Sequence, residues 1–222
     1  MNITYRNIIR CTLGVMVLAC FALTFTSCSE KDSEDAEYAD WQNRNDKYFS
    51  NLLQQARSAA SSGSKEWKVI RNWSLDSTAT ADNDFIVVHV DQTGTGSGCP
   101  LYTDSVLVDY QGRLIPSSNH PTGYVFDQSW YGDDFIQESA RPAHLLTSGV
   151  VDGFCTALQH MHIGDTWTVY MPYTLGYDTK DNSTSGIPAF STLIFTIHLR
   201  AYYRPGTVMP NNQAKKGIWI EE

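Results

Sequence analysis

The sequence VVDGFCTALQHMHIGD runs from residue 150 to residue 165. Its apolar side chains recur at the three- and four-residue steps of a helix, at Phe154, Ala157, Leu158 and Met161. This spacing predicts a short helix with one buried stripe. We expect the Asp152 carboxylate to cap the start of the helix and Gly164 to end it in the left-handed conformation.

Two histidines, His160 and His162, flank Met161 near the end of this helix. Metal ligands on one helix are expected at i and i+4, on the same face, with a third ligand nearby. The two histidines do not have that spacing, and no third ligand is evident in the sequence. We therefore expect both side chains to face solvent, and we expect no metal site.

Apolar and polar residues alternate on both sides of the helix, which is typical of half-buried strands. The clearest segments are DFIVVHVDQ (84–92), DSVLVDYQGRL (104–114), TWTVYMP (166–172) and STLIFTIHLRAYY (191–203); weaker ones are EWKVIRNWSL (66–75) and PTGYVFDQSW (121–130). Residues 131–149 are expected to be irregular. One short helix laid across mostly antiparallel strands predicts an α+β domain.

A second helix is expected over residues 36–60. Its apolar residues also recur at helical steps, at Tyr38, Trp41, Tyr48, Phe49, Leu52 and Leu53. Two interpretations of this stripe stay open: the helix packs on the main domain, or it joins two copies in a homodimer. Residues 36–83 are predicted to be an N-terminal extension containing this helix and one strand, and residues 204–222 a loose tail.

The first 28 residues have the layout of a secretory signal, because Arg6 and Arg10 precede an apolar run that ends in small residues. FTSC resembles a bacterial lipoprotein cleavage box with Cys28 as the lipidated residue, and VLAC at Cys20 is the rival site. We therefore expect a protein of the cell envelope, lipid-anchored to the outer membrane on its periplasmic or surface face. The alternatives are an uncleaved anchor and an ordinary secretory signal.

The chain is acidic, with 24 Asp and Glu against 16 Lys and Arg and a formal net charge of −8. An acidic protein does not neutralise a phosphate backbone, so nucleic acid is excluded as the expected partner. Residues 29–35 are predicted to form an acidic tether. In an oxidising compartment Cys99 and Cys155 could pair or stay as free thiols, and the sequence leaves both open.

Ordered motifs in the second half of the chain resemble those of the FKBP-type peptidyl-prolyl cis-trans isomerases. The family patterns Val-x-Tyr-x-Gly and Phe-Asp-x-Ser resemble VDYQG (108–112) and FDQS (126–129). Val-Ile-x-Gly-Trp and Met-x-x-Gly-Glu/Asp resemble VVDGF (150–154) and MHIGD (161–165). The patterns Ile-Pro-x-x-Leu-Ala-Tyr-Gly and Ile-Pro-x-x-x-x-Leu-x-Phe resemble MPYTLGYD (171–178) and IPAFSTLIF (187–195). The resemblance therefore extends over about residues 84–203.

The resemblance implies a bent antiparallel sheet wrapped around the short helix, with an apolar pocket between them that holds a proline ring. Carried over by motif, the catalytic residues would be Tyr110, Phe126, Asp127, Val151, Phe154 and Tyr177, and the further substrate-binding residues Val150, Ile187 and Phe195. Phe154 would be the floor, where the family usually has tryptophan. Asp127 would order Tyr110 or a nearby basic group rather than act as a base.

The function implied is rotation of X–Pro bonds in exported proteins, with proline-containing polypeptides as partners, no cofactor and no covalent intermediate. Three departures from the family pattern favour an alternative, a peptide-binding chaperone or surface adaptor with little turnover. Ala143 stands where the family often has a pocket phenylalanine, and Asp178 replaces a glycine. The segment from Trp130 to Ala140 is longer than usual, and Trp130, Tyr131 or Phe135 could fill the space beside Ala143.

Overall fold

The structure is a computed structural model that describes residues 36–132 and 135–206. The chain divides into two compact units, residues 1–39 and residues 40–222. In the first unit, a short helical turn at residues 36–37 is described. The secretory signal, Cys20, Cys28, the tether and most of the tail lie outside the described residues.

The described part of the second unit contains one antiparallel sheet of seven strands. The strands are β1 (Trp67–Arg71), β2 (Phe85–Gln92), β3 (Ser105–Arg113), β4 (Val125–Gln128), β5 (Ala143–Leu146), β6 (Thr166–Met171) and β7 (Leu193–Tyr203). Their order across the sheet is β1-β2-β6-β7-β3-β4, and β5 also pairs with β3. The α+β prediction is confirmed, and the six expected strand segments all contain a strand.

The sheet is irregular at three places, where the pairing register shifts at Val90/Gln92, Leu107/Val108 and Gly112/Arg113. Such bulges bend strands and increase their twist. Strands β4 and β5 share one edge of β3, because β4 pairs with its last residues and β5 with its first. The expectation that residues 131–149 are wholly irregular was wrong, since β5 lies within them.

The helix within residues 150–165 is α2, Asp152–Leu158, and it packs against β1, β2 and β6. The four predicted residues, Phe154, Ala157, Leu158 and Met161, are all at most 3% exposed. The single stripe was wrong, however, because every residue from Gly153 to Leu158 is buried and the helix is covered on nearly all sides. The predicted ends were wrong. Val151 is the N-cap residue and no side chain caps the helix, because Asp152 is already its first residue. Gly164 has a φ of +90°, but in the turn before β6 rather than at the helix end.

The long helix α1 spans Trp41–Ser61 and packs against β1 and β2. Its buried residues are Trp41, Asn45, Phe49, Leu53 and Ala56, and Phe49, Leu53 and Ala56 form a cluster with Val87. Of the two interpretations left open, the structure has the helix packed on its own domain. Among the described residues, no helix has both the length and the apolarity needed to cross a membrane.

Candidate active site

Four aromatic residues from different elements meet over the start of α2, and we call them the aromatic cluster: Tyr110 on β3, Phe126 on β4, Phe154 on α2 and Phe195 on β7. The Phe195 ring lies at the centre, with centroid distances of 5.1 Å to Phe154, 5.4 Å to Phe126 and 6.2 Å to Tyr110. Tyr110 also meets Phe154 edge-on at 6.0 Å. Edge-to-face contacts of this kind are favourable for aromatic rings.

The absence of a side chain at Gly112 lets the Phe126 and Phe195 rings lie directly against the backbone of β3. A Cβ atom there would lie 2.6 Å from carbon atoms of both Phe126 and Phe195, which is closer than any real contact. Its direct partner on β7 is Phe195 itself. The sequence reasoning missed this role, although Gly112 closes the Val-x-Tyr-x-Gly motif, and that motif was the available signal.

The polar side of the cluster is made by Tyr110 and Asp127. The Tyr110 hydroxyl donates a 2.7 Å hydrogen bond to the Asp127 carboxylate, whose second oxygen accepts the Gln128 N–H at 2.9 Å. Burial, the Asp127 hydrogen bond and the Asp127 charge together raise the pKa of Tyr110 far above its usual value. The phenol therefore stays protonated, and of the two expected partners Asp127 orders Tyr110.

Tyr177 follows the 3-10 turn Tyr173–Leu175 and is 37% exposed. Burial of its hydroxyl and the nearby charge of Asp127 raise the pKa of Tyr177. The charge of Asp127 thus acts on both phenols, and the raised pKa keeps the Tyr177 hydroxyl protonated.

Val150 and Val151 lead into α2 and are both partly buried. The Val151 carbonyl accepts the Cys155 N–H at 2.9 Å, as the first bond of the helix. The Val151 N–H has no hydrogen-bond partner among the described residues. One backbone donor is thus left for an outside acceptor beside Phe154.

Ile187 is 2% exposed and lies in the segment we call the 177–192 loop, from Tyr177 to Thr192. Its N–H and carbonyl both pair with Asn182, at 3.1 and 2.8 Å. Two other residues of this loop, Asp178 and Phe190, have left-handed backbones with φ of +62° and +61°. The conformation at Asp178 explains why the family pattern has glycine at that position.

Ala143 pairs with Val108 on β3. Phe135 instead packs at 5.0 Å on His198, and Trp130 at 5.0 Å on Phe135. His198 alternates with Phe195 and Ile197 along β7, so Trp130 and Phe135 cover the opposite face of the sheet. Tyr131 is 89% exposed. The suggestion that these residues fill the space beside Ala143 was therefore wrong.

The two histidines of the opening stretch lie outside the aromatic cluster. The His160 residue is exposed, with Nδ1 2.8 Å from the Thr156 carbonyl oxygen. The His162 side chain is 41% exposed, and its Nε2 lies 3.8 Å from the Cys99 sulfur. Cys99 and Cys155 are free thiols, and burial raises the pKa of Cys155 to about 11.

Comparison with known proteins links this arrangement to one family. Residues 99–200 match the sequence model described as FKBP-type peptidyl-prolyl cis-trans isomerase. The chain is 36% identical over 100 residues to the FKBP-type 22 kDa peptidyl-prolyl cis-trans isomerase of Escherichia coli K12, covering 45% of this chain and 42% of that protein. It is 38% identical over 107 residues to the outer membrane protein MIP of Legionella longbeachae, covering 48% and 39%.

A third relative is similar over more of its length. The macrophage infectivity potentiator of Trypanosoma cruzi is 27% identical over 195 residues, which cover 88% of this chain and 82% of that protein. Against the first two relatives, the matched segment spans only about two fifths of their length.

Proposed function

We propose that this chain, whose residues 99–200 match the FKBP-type family model, is a peptidyl-prolyl cis-trans isomerase acting on exported proteins. The observation that carries the proposal is the aromatic cluster, because each of its four residues comes from a different motif of the family and all four meet. We assign the isomerase domain to residues 84–203 and regard residues 36–83 as its N-terminal extension.

Rotation of an X–Pro bond needs an apolar binding site with fixed hydrogen-bond donors, and it needs no reactive group. Rotating an X–Pro bond crosses a barrier of about 18–20 kcal/mol, because the planar amide loses its resonance on the way. An apolar site disfavours the polar planar amide, and fixed hydrogen-bond donors favour the twisted form. The aromatic cluster provides the apolar walls, and no covalent intermediate is needed.

In this proposal the proline ring packs between Phe126, Phe195 and the Phe154 floor, with Val150 and Ile187 as further walls. The free Val151 N–H donates to a substrate carbonyl. The protonated Tyr177 hydroxyl is the second donor. Asp127 holds Tyr110 in place through their hydrogen bond and takes up no proton during the reaction.

An isomerase assay on a panel of X–Pro peptides tests this function. We expect turnover by the wild-type protein and a large loss in Phe126→Ala and in Tyr177→Phe. Tyr131→Phe is the matched control, because it removes the same hydroxyl at a position that is 89% exposed. A folded wild-type protein that does not accelerate isomerisation of any peptide would contradict the proposal.

The second candidate is a peptide-binding module of the same fold with little turnover. It is favoured by Ala143, which leaves one wall without an aromatic ring, and by the left-handed Asp178 beside Tyr177. Tight binding of proline peptides by a protein without measurable turnover would support this candidate over the isomerase.

The location proposed is the cell envelope, with a lipid anchor at Cys28. The similarity to a relative named as an outer membrane protein supports it. Labelling with a fatty acid should fail in Cys28→Ser and persist in Cys20→Ser. Labelling that survives Cys28→Ser would contradict lipidation at that residue.

The homodimer through α1 stays a prediction. Since the apolar stripe of α1 is buried on its own domain, a dimer would have to use the exposed side of that helix. Light scattering at high protein concentration decides it, because a monomer under those conditions would exclude a stable dimer.

A further inference from the structure

Two side chains in the first turns of α1 are hydrogen-bonded to the end of the 177–192 loop. The Trp41 indole N–H donates a 2.8 Å hydrogen bond to the Ser191 hydroxyl. The Asn45 side-chain carbonyl accepts the Thr192 N–H at 2.7 Å. Both bonds are buried, and they join residues that are 150 and 147 positions apart in the sequence.

Asn45 is held in the orientation that this contact needs. Its side chain is fully buried, and its NH2 group donates at 2.8 Å to the Trp41 carbonyl, one turn earlier in the helix. The amide oxygen is thereby pointed at the loop. Both the NH2 group and the oxygen of this buried amide are hydrogen-bonded. Losing either hydrogen bond would leave a buried polar group unpaired, so Trp41 and Thr192 are held in place.

Ser191 connects α1 to the part of the loop that lies next to Ile187. Its hydroxyl accepts from Trp41 and donates to the Pro188 carbonyl at 2.6 Å. Pro188 follows Ile187, the buried residue assigned to the proline pocket. Thr192 precedes β7, which carries Phe195. The restraint from α1 thus acts on the short segment that joins two residues of the proposed site.

The restrained segment also has an unfavourable backbone. Phe190 has a φ of +61°, a region that bulky side chains avoid, and its N–H donates at 3.1 Å to the carbonyl of Asp178, which has a φ of +62°. Such conformations persist where the surroundings hold them in place. Asp178 directly follows Tyr177 in the chain. The hydrogen bond between Phe190 and Asp178 therefore links the α1 contact to Tyr177, the second proposed donor.

We propose that Asn45 and Trp41 are positioning residues of the isomerase, which act by holding the 177–192 loop so that Ile187 and Tyr177 face the aromatic cluster. This inference rests on the proposed function and adds to it, because the N-terminal extension becomes part of the site. Neither residue is expected to touch the substrate.

The test compares Asn45→Ala and Ser191→Ala with Leu53→Ala, in the full chain and at a temperature where all are folded. Leu53→Ala is the matched control because it loosens the same helix at its contact with β1 and β2, away from the loop. A shift of about 1 Å in a catalytic group costs up to 100-fold in rate, so we expect kcat/KM to fall about 10- to 100-fold in the two loop variants. We expect no such fall in Leu53→Ala.

Amide hydrogen exchange gives a readout that does not depend on activity. In Asn45→Ala the Phe190 and Thr192 amides should exchange at least about tenfold faster, while the amides in the middle of β7 stay protected. Equal effects of Asn45→Ala and Leu53→Ala on both readouts would overturn the proposal, because the role of Asn45 would then be general stability.

Replacing the strained residue supplies a rescue. Glycine adopts a left-handed backbone without the steric penalty of a bulky side chain, so Phe190→Gly should restore part of the kcat/KM lost in Asn45→Ala. If the wild-type protein shows no turnover, the proposed function fails by itself, and exchange together with proline-peptide affinity still tests whether Asn45 holds the loop.

Discussion

The close approach of Phe126 and Phe195 to the β3 backbone depends on Gly112. In Gly112→Ala the added Cβ would lie 2.6 Å from Phe126 and Phe195, so both rings must move. We expect a loss of about 1–3 kcal/mol in unfolding free energy, as for other overpacked sites, together with weaker binding of proline peptides. Urea unfolding and peptide titration measure the two effects.

Gly149→Ala is the control for that change, because its Cβ would have only an ordinary contact of 3.4 Å with Leu146. A Gly112→Ala protein as stable as Gly149→Ala would mean that the rings do not close on β3 as described.

The Tyr110–Asp127 pair gives a prediction about ionisation. Burial is the largest cause of the raised pKa of Tyr110, and the hydrogen bond and charge of Asp127 add to it. In Asp127→Asn the pKa of Tyr110 should fall, yet stay above its usual value because the ring remains buried. Ultraviolet titration of the phenolate measures the change, with Tyr110→Phe to assign the signal. An unchanged pKa would show that the pair is not formed in solution.

The motifs predicted which side chains meet, because Tyr110, Phe126, Phe154 and Phe195 each lie at a fixed position in a strand or helix motif. They did not predict the left-handed backbone of Phe190. The Phe190 N–H is hydrogen-bonded to Asp178, and α1 holds the next residues, Ser191 and Thr192. These partners are distant in sequence, so no local pattern reports the conformation.

Among the elements, α1 packs on β1 and β2 through a buried apolar cluster. Leu53 is fully buried in the cluster with Phe49 and Val87, so Leu53→Ala should lower the unfolding free energy by about 2–5 kcal/mol. Chemical unfolding followed by tryptophan fluorescence measures it. Leu52→Ala, at a partly buried neighbour, should cost less, and equal losses would mean that the helix does not pack on this face.

The elements were predicted unevenly, and the reasons are physical. β3 and β7 are nine and eleven residues long and carry apolar residues at alternate positions, Val106 and Val108 in one and Phe195, Ile197 and Leu199 in the other, so their pattern is clear. β5 has only four residues, AHLL, and the pairing that makes it a strand comes from β3. The start of α2 was misplaced because the sequence contains an acidic residue of the right type at Asp152, whereas the structure begins the helix there without a side-chain cap.

For the molecule as a whole, buried phenols predict a loss of stability in alkali. Burial is the main cause that raises the pKa of Tyr170 from 10.0 to about 12, and the pKa values of Tyr48, Tyr177 and Tyr203 are also raised. Because the folded pKa lies above the unfolded one, this contribution is fully present below pH 10.0 and is lost as the pH rises through about 12.

The unfolding free energy should therefore decline above about pH 10, with roughly 1–3 kcal/mol of the decline due to Tyr170. Urea unfolding at a series of alkaline pH values measures it. Tyr170→Phe should flatten that decline, and an identical slope in the variant would contradict the assignment to Tyr170.

The contact of α1 with Ser191 and Thr192 has a consequence for the order in which the protein is made. A chain synthesised or exported from its N-terminus completes α1 early, and β1 and β2 follow soon enough to cover its stripe. The partners of Trp41 and Asn45 arrive about 150 residues later, and contacts so distant form after local ones. A growing chain therefore has α1, β1 and β2 in place before the proposed site, which is completed only when almost the whole domain has emerged.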